Sequence, residues 1–250
     1  MGYKLIGKGY IKTKDTDIVI LCGGAGTRLR NIISDKPKAL ATVNGKPFIA
    51  YLIEEMHKFG FKRFILCTGY LGSQIRSYFK ENLVSGVEII FSEEKIPLGT
   101  GGAVKNAENL IKSNPFLIIN GDTFAKIDFL EFFNFHLNNQ ALFSLALAHS
   151  ENADNFGSVK LNSVGRVISF NEKDKAGQSL AIVSCGTYIM NRDVFLYIPK
   201  DKKFSLEYEL FPILIKDKFL YGFIINAKFL DIGTPENYRK AQKILNMEKG

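Results

Sequence analysis

Cysteine is scarce in this chain of 250 residues: Cys22, Cys67 and Cys185 are the only three. None forms a Cys-x-x-Cys pair, so the usual cysteine zinc site is excluded, and an odd, scattered set gives no disulfide framework. Each sits in or beside an apolar run, where a buried thiol is ordinary, and the pattern points to a reducing cytoplasm. His57, His136 and His149 show no metal-ligand spacing and read as structural. No run approaches the roughly 18–20 apolar residues of a membrane span, and the charged N-terminus lacks the apolar core of a secretory signal. No Arg/Lys-rich run is interleaved with aromatics. The formal charge of +8 owes four positives to Lys4, Lys8, Lys12 and Lys14, ahead of the first acid, Asp15. The rest is mildly basic, which suits an anionic small substrate and leaves nucleic acid and membrane out as expected partners.

What is present is a globular composition, 46% hydrophobic and 23% charged, long enough for a substantial core. From residue 17 the pattern alternates strand and helix. Ile18–Leu21, Phe64–Cys67, Val87–Phe91 and Phe116–Ile119 read as strands. Pro47 opens a helix carrying Phe48, Leu52, Ile53, Met56 and Phe59 at helical spacing. Ser73–Asn82 and 101–112 read as further helices. This predicts a mostly parallel sheet with helices on both faces, and ligands at the carboxyl ends of its strands. The second half is less regular: strands at Phe143–Leu147, Ser158–Leu161, Val167–Phe170, Ala181–Met190 and Gly222–Asn226, short helices at Val194–Ile198 and Glu207–Ile215, and a terminal helix from Pro235. The Phe129–Phe135 aromatics read as core. Residues 1–16 fit either a flexible arm or a short extra strand.

The first strand runs into Leu21-Cys-Gly-Gly-Ala-Gly-Thr-Arg28, with Lys36-Pro-Lys38 soon after. A turn rich in glycine lets backbone N–H groups close on an anion, and Arg28 and Lys38 add fixed cations. The combination predicts a triphosphate grip. A Walker A loop is excluded, because Gly26 is followed by Thr27-Arg28 rather than Lys-Ser/Thr. A dinucleotide fingerprint is weak, because Leu29 stands where its third glycine belongs.

Asp122 follows an apolar strand at Asn120-Gly-Asp, and Asp231 follows Phe229-Leu230. Such carboxylates can hold a hard cation, and Mg²⁺ takes one or two of them plus phosphate oxygens. Each alone also fits a turn or a helix N-cap, Asp231 especially. Leu98-Gly-Thr-Gly-Gly102 predicts close approach of a flat base. Nearby Glu94 can accept from the N1–H and 2-amino edge of guanine, whereas Glu93 reads as solvated. Phe170-Asn-Glu-Lys173 fits a solvated hairpin turn or a sugar-phosphate contact.

In order, Leu21–Leu29, Lys36-Pro-Lys38, Gly45-Lys-Pro47, Leu98–Gly102, Asn120-Gly-Asp122, Phe156-Gly157, Phe170–Lys173, Gly186-x-Tyr188 and Asp231-Ile-Gly-Thr-Pro-Glu236 resemble the motifs of the sugar-nucleotide pyrophosphorylases, the sugar-1-phosphate nucleotidyltransferases. The resemblance implies a Rossmann-like three-layer α/β/α fold with a mixed, mostly parallel sheet, as one domain over 17–250. Its nucleotide-binding half would be about 17–125 and its sugar-binding half about 126–250. Implied roles are Leu21, Gly23, Gly24, Ala25, Gly26, Thr27, Glu94, Gly99, Thr100 and Gly121 for the nucleotide, Arg28 and Lys38 for catalysis, and Asp122 and Asp231 for Mg²⁺. Gly157, Glu172, Lys173 and Gly186 would hold the sugar 1-phosphate. Phe204-Ser-Leu-Glu207 and Asp231–Tyr238 with Ala241-Gln242 are most similar to the branch that uses GTP and a heptose 1-phosphate, and enzymes for mannose 1-phosphate share several of these cues. A non-catalytic sensing subunit would keep Gly24 and Gly26 but lose one of Arg28, Lys38 or the two aspartates. A homodimer is left open.

Overall fold

The computed structural model describes residues 11–29, 32–150, 156–172, 181–227 and 229–247. β1 (Asp17–Leu21) is apolar after its first residue because both its faces are covered: Ile18 and Ile20 enter one core, Val19 the other. β2 (Thr42–Val43) and β3 (Lys46–Pro47) form a small ribbon that feeds α1 (Phe48–Lys58). Pro47 stands just ahead of that helix rather than inside it. The apolar spacing buries Phe48, Leu52, Ile53 and Met56, but Phe59 falls just past the helix, as its C-cap, and stays exposed. β4 (Arg63–Thr68), α2 (Gly72–Glu81), β5 (Glu88–Glu93), α3 (Gly99–Asn106) and β6 (Phe116–Asn120) continue the alternation. β1 pairs in parallel with β4 and β6, and β4 with β5.

β7 (Thr123–Ala125) then leaves the main sheet. α4 (Phe129–Asn138) buries Phe129, Phe132 and Phe133, as a core cluster should. β8 (Phe143–Ser150), β9 (Gly157–Leu161), β10 (Val167–Glu172) and β11 (Ala181–Met190) follow, then a π-helical turn at Leu206–Leu210, α5 (Phe211–Lys216), β12 (Leu220–Ile224), β13 (Phe229–Asp231) and α6 (Pro235–Met247). Among the described residues a nine-stranded sheet runs β10-β9-β11-β6-β1-β4-β5, with β8 against β11 and β12 against β8. β11 lies antiparallel to β6, so residues of both halves share one sheet. α1, α2 and α4 contribute to the core under Ile18 and Ile20, and α3 and α5 to the core under Val19. The result is a three-layer α/β/α arrangement with a mixed, mostly parallel sheet. Among the described residues no helix is long and apolar enough to cross a membrane.

The N-terminal segment is described only from residue 11, and Thr13–Asp15 make a 3₁₀ turn. His136 is on the buried face of α4, with Nδ1 2.8 Å from Ser144 Oγ and Nε2 3.0 Å from Asn191 Oδ1. Burial holds its pKa down at about 4, against the Asn191 contact.

Candidate active site

The site lies at the carboxyl ends of β1, β4, β5 and β6, where an open α/β sheet places ligands. After β1 the Cys22 N–H donates to Cys67 O at 3.0 Å, and the Tyr70 N–H donates to Gly23 O at 3.0 Å. The chain then leaves the sheet into a 3₁₀ turn at Thr27–Leu29. Two of the loop's glycines are required by contact. A Cβ on Gly23 would stand 2.2 Å from Glu94 Oε1, and Gly26 has φ +58° with Lys38 Cβ 3.1 Å from where its own would be.

Two adjoining cavities open here. The smaller, about 260 Å³, is lined by Gly24, Gly26, Thr27, Arg28, Lys38, Gly121, Asp122 and Gly233 among others. The larger, about 620 Å³, is lined by Gly23, Ala25, Glu94, Gly99, Thr100, Asn120 and others. Leu21, Gly24 and Asp122 line both. Every residue assigned in sequence to the nucleotide therefore borders one cavity or the other, and Arg28 and Lys38 border the smaller.

Asp122 and Asp231 come together through a two-stranded ribbon outside the main sheet. β13 pairs with β7, Asp231 opposite Thr123, and the Ile232 N–H donates to Asp122 O at 2.9 Å. Lys38 Nζ makes an ion pair with Asp122 Oδ2. Asp231 Oδ1 accepts from the Gly233 N–H at 2.6 Å. Burial, then the Asp122 charge, push the Asp231 carboxyl above its ordinary pKa, while Lys38, the Gly233 N–H and Arg28 oppose the rise. The helix N-cap alternative for Asp231 is taken instead by Thr234, whose Oγ1 accepts from the Asn237 N–H at 3.2 Å.

Glu94 is half-buried; Oε2 accepts the Leu98 N–H at 2.7 Å, and burial raises its pKa against that bond. Glu93 ends β5 exposed and pairs with Arg76 at 3.4 Å. The glycines after Leu98 also have a packing reason. Cβ atoms on Gly99 and Gly102 would stand 2.7 Å from Phe204 O and Lys202 O. They make room for the backbone of segment 202–206, which the Gly102 N–H and Phe204 N–H tie to the turn at 3.0 and 2.8 Å. Thr100 Oγ1 donates to Glu207 Oε2 at 2.6 Å and accepts from the Leu206 N–H at 2.9 Å.

Of the residues assigned to the sugar, Gly157 and Gly186 are not among the residues that line these two cavities. Gly157 and Glu172 are register partners across β9 and β10, and the Phe170 ring lies directly over Gly157. Gly186 backs onto Asn120. Lys173 lies outside the described residues. Sequence reasoning gave no role to Tyr70, Lys95, Asn120 or Lys203, which also line the larger cavity. The strand-end rule reaches Tyr70 and Asn120; Lys203 carries no local signal.

The chain matches the Nucleotidyl transferase family over residues 17–248. It is 39% identical over 229 residues to the D-glycero-alpha-D-manno-heptose 1-phosphate guanylyltransferase of Aneurinibacillus thermoaerophilus, covering 92% of this chain and 98% of that one. The enzyme of the same name from Campylobacter jejuni is 38% identical over 88% of this chain and 96% of its own. The crystal structure of HddC from Yersinia pseudotuberculosis superposes with a TM-score of 0.83 at 33% identity, over 92% of this chain and 99% of that one. HddC is also known complexed with GMP-PN. With the motifs in order, the fold shared and the match spanning nearly its whole length, the chain belongs to the nucleotidyl transferase family, among the sugar-1-phosphate nucleotidyltransferases.

Proposed function

We propose that this protein transfers GMP from GTP to D-glycero-α-D-manno-heptose 1-phosphate, giving GDP-heptose and pyrophosphate. The observation that carries the reading is the half-buried Glu94 carboxylate in a cavity that opens, across Asp122, onto the cationic pocket of Arg28 and Lys38. Guanine presents paired N1–H and N2–H donors to a carboxylate. The names of the similar enzymes support both the base and the sugar.

The chemistry needs positioning and charge neutralisation more than covalent help. The sugar-phosphate oxygen attacks the α-phosphorus in line and pyrophosphate leaves. The attacking phosphate is already ionised, so no general base is required. The Gly23–Thr27 backbone cradles the triphosphate, and Arg28 neutralises the leaving pyrophosphate. Lys38, held on Asp122, stabilises charge at the α-phosphate. Gly157, Glu172, Lys173 and Gly186 are assigned to the sugar phosphate.

Asp122 and Asp231 fit a Mg²⁺ ion: two adjacent carboxylates, hard oxygen donors only, whose mutual repulsion helps raise Asp231. Bound there, the ion would offset phosphate charge and polarise the α-phosphorus.

Incubation with GTP, Mg²⁺ and the heptose 1-phosphate should form GDP-heptose and pyrophosphate in equal amounts. Release of inorganic phosphate, or of pyrophosphate without a GDP-sugar, would contradict the reading.

A further inference from the structure

Asn120 ends β6, in register with Leu21 at the end of β1 and two positions before Asp122. It lines the larger cavity. Its Oδ1 is buried with no hydrogen-bond partner among the described residues. An unmatched buried amide oxygen is costly, and native structures keep few of them. The amide is seated from behind by Gly186, in the irregular stretch of β11 between Ser184 and Tyr188. Gly186 has φ +66°, and a Cβ there would stand 2.6 Å from Asn120 Nδ2. Position 186 therefore favours glycine on two counts: its left-handed backbone, and the Asn120 amide, which a larger residue displaces.

We propose that Asn120 reads a ribose hydroxyl of the bound nucleotide. The inference rests on the guanylyl-transfer reading above and names a contact within it. Ribose is the covalent bridge between base and α-phosphate. Glu94 and Gly99 border only the larger cavity, Arg28 and Lys38 only the smaller, and Leu21, Gly24 and Asp122 border both. The bridge crosses at those shared residues. Asn120 adjoins that crossing twice, beside Leu21 in register and close to Asp122 in sequence. Its amide offers one acceptor and two donors, and each ribose hydroxyl can donate and accept, so the two groups are complementary.

The test compares kcat/KM for GTP, 2′-deoxy-GTP and 3′-deoxy-GTP in the wild type, Asn120→Leu and Gly186→Ala. Leucine keeps roughly the volume of asparagine and removes its polar atoms. The wild type should prefer GTP over at least one deoxy form by roughly two- to tenfold, the worth of one hydrogen bond. Both variants should lose that preference. Calorimetric Kd values for GDP and its deoxy forms give the same ratio without turnover, and thermal unfolding checks that the variants fold. An unchanged ratio in Asn120→Leu overturns the proposal. So does a preference lost only against deoxy forms of the sugar 1-phosphate. A wild type that binds GDP with the ribose preference but makes no GDP-sugar would instead sink the guanylyl-transfer reading and leave the contact standing.

Discussion

Thr100 and Glu207 share a hydrogen bond of 2.6 Å that ties one wall of the larger cavity to the second half of the chain. Ser205 Oγ donates to the same Glu207 oxygen at 2.9 Å, so one carboxylate holds both sides of the contact. With Glu207 removed, Thr100 and Gly99 lose the brace that sets the cavity wall. Glu207→Ala should raise the KM for GTP more than it lowers kcat, and cost about 1–3 kcal/mol of stability. Glu207→Gln keeps an acceptor and should recover much of both. Steady-state kinetics and thermal melts check this; an alanine variant with wild-type KM removes Glu207 from the site.

Lys38 should act on the transition state more than on ground-state binding. Lys38→Ala is expected to lower kcat and kcat/KM together, by on the order of 10²–10³. A change confined to the KM for nucleotide would contradict its role at the α-phosphate.

Asp122 and Asp231 should be needed jointly. Asp122→Asn and Asp231→Asn are each expected to cripple turnover at saturating Mg²⁺ while leaving the fold intact, as read by circular dichroism. Near wild-type activity in either variant would remove that residue from the metal site.

Glu94 should set base selectivity. A carboxylate facing adenine meets no paired donors, a mismatch of about 1–3 kcal/mol, or roughly tenfold to a hundredfold. Glu94→Gln should narrow the GTP-to-ATP ratio and Glu93→Gln should leave it alone. Burial raises the pKa of Glu94, so its charged form is lost earlier on acidification than an ordinary glutamate's. The KM for GTP should accordingly rise toward acid pH in the wild type and less so in Glu94→Gln. Equal pH profiles would argue that Glu94 does not face the base.

His136 should limit acid stability. Its folded pKa of about 4 lies below the ordinary 6.5, so the unfolded chain binds the extra proton between those values. Stability from neutral His136 is complete above pH 6.5 and falls as pH drops toward 4, by about 2 kcal/mol at pH 5. Denaturant unfolding at pH 8 and pH 5 should show a smaller loss in His136→Gln than in the wild type. Equal losses would rule out His136 as the source.

Much of the fold is legible in the sequence because its cores are continuous. Ile18–Leu21 is apolar on both faces, and α6 begins at Pro235, where proline fixes the first turn. β7 and β13 are not legible: three-residue strands have no periodicity to detect, yet they bring Asp122 and Asp231 together. The same limit explains the glycines after Leu98. Their pattern signals a close approach, but the partner, the backbone near Phe204, is distant in sequence. Lys203 reaches the cavity by that same packing and has no motif of its own. Asn120 lies within a motif, but its role depends on Gly186 across the sheet.

The central claim, guanylyl transfer to a heptose 1-phosphate, is tested most directly by pyrophosphate release across GTP, ATP, UTP and dTTP, each paired with D-glycero-α-D-manno-heptose 1-phosphate, mannose 1-phosphate and glucose 1-phosphate. The account predicts the highest kcat/KM for GTP with the heptose 1-phosphate. UTP or dTTP preferred over GTP would contradict the base assignment, and mannose 1-phosphate preferred over the heptose would contradict the sugar.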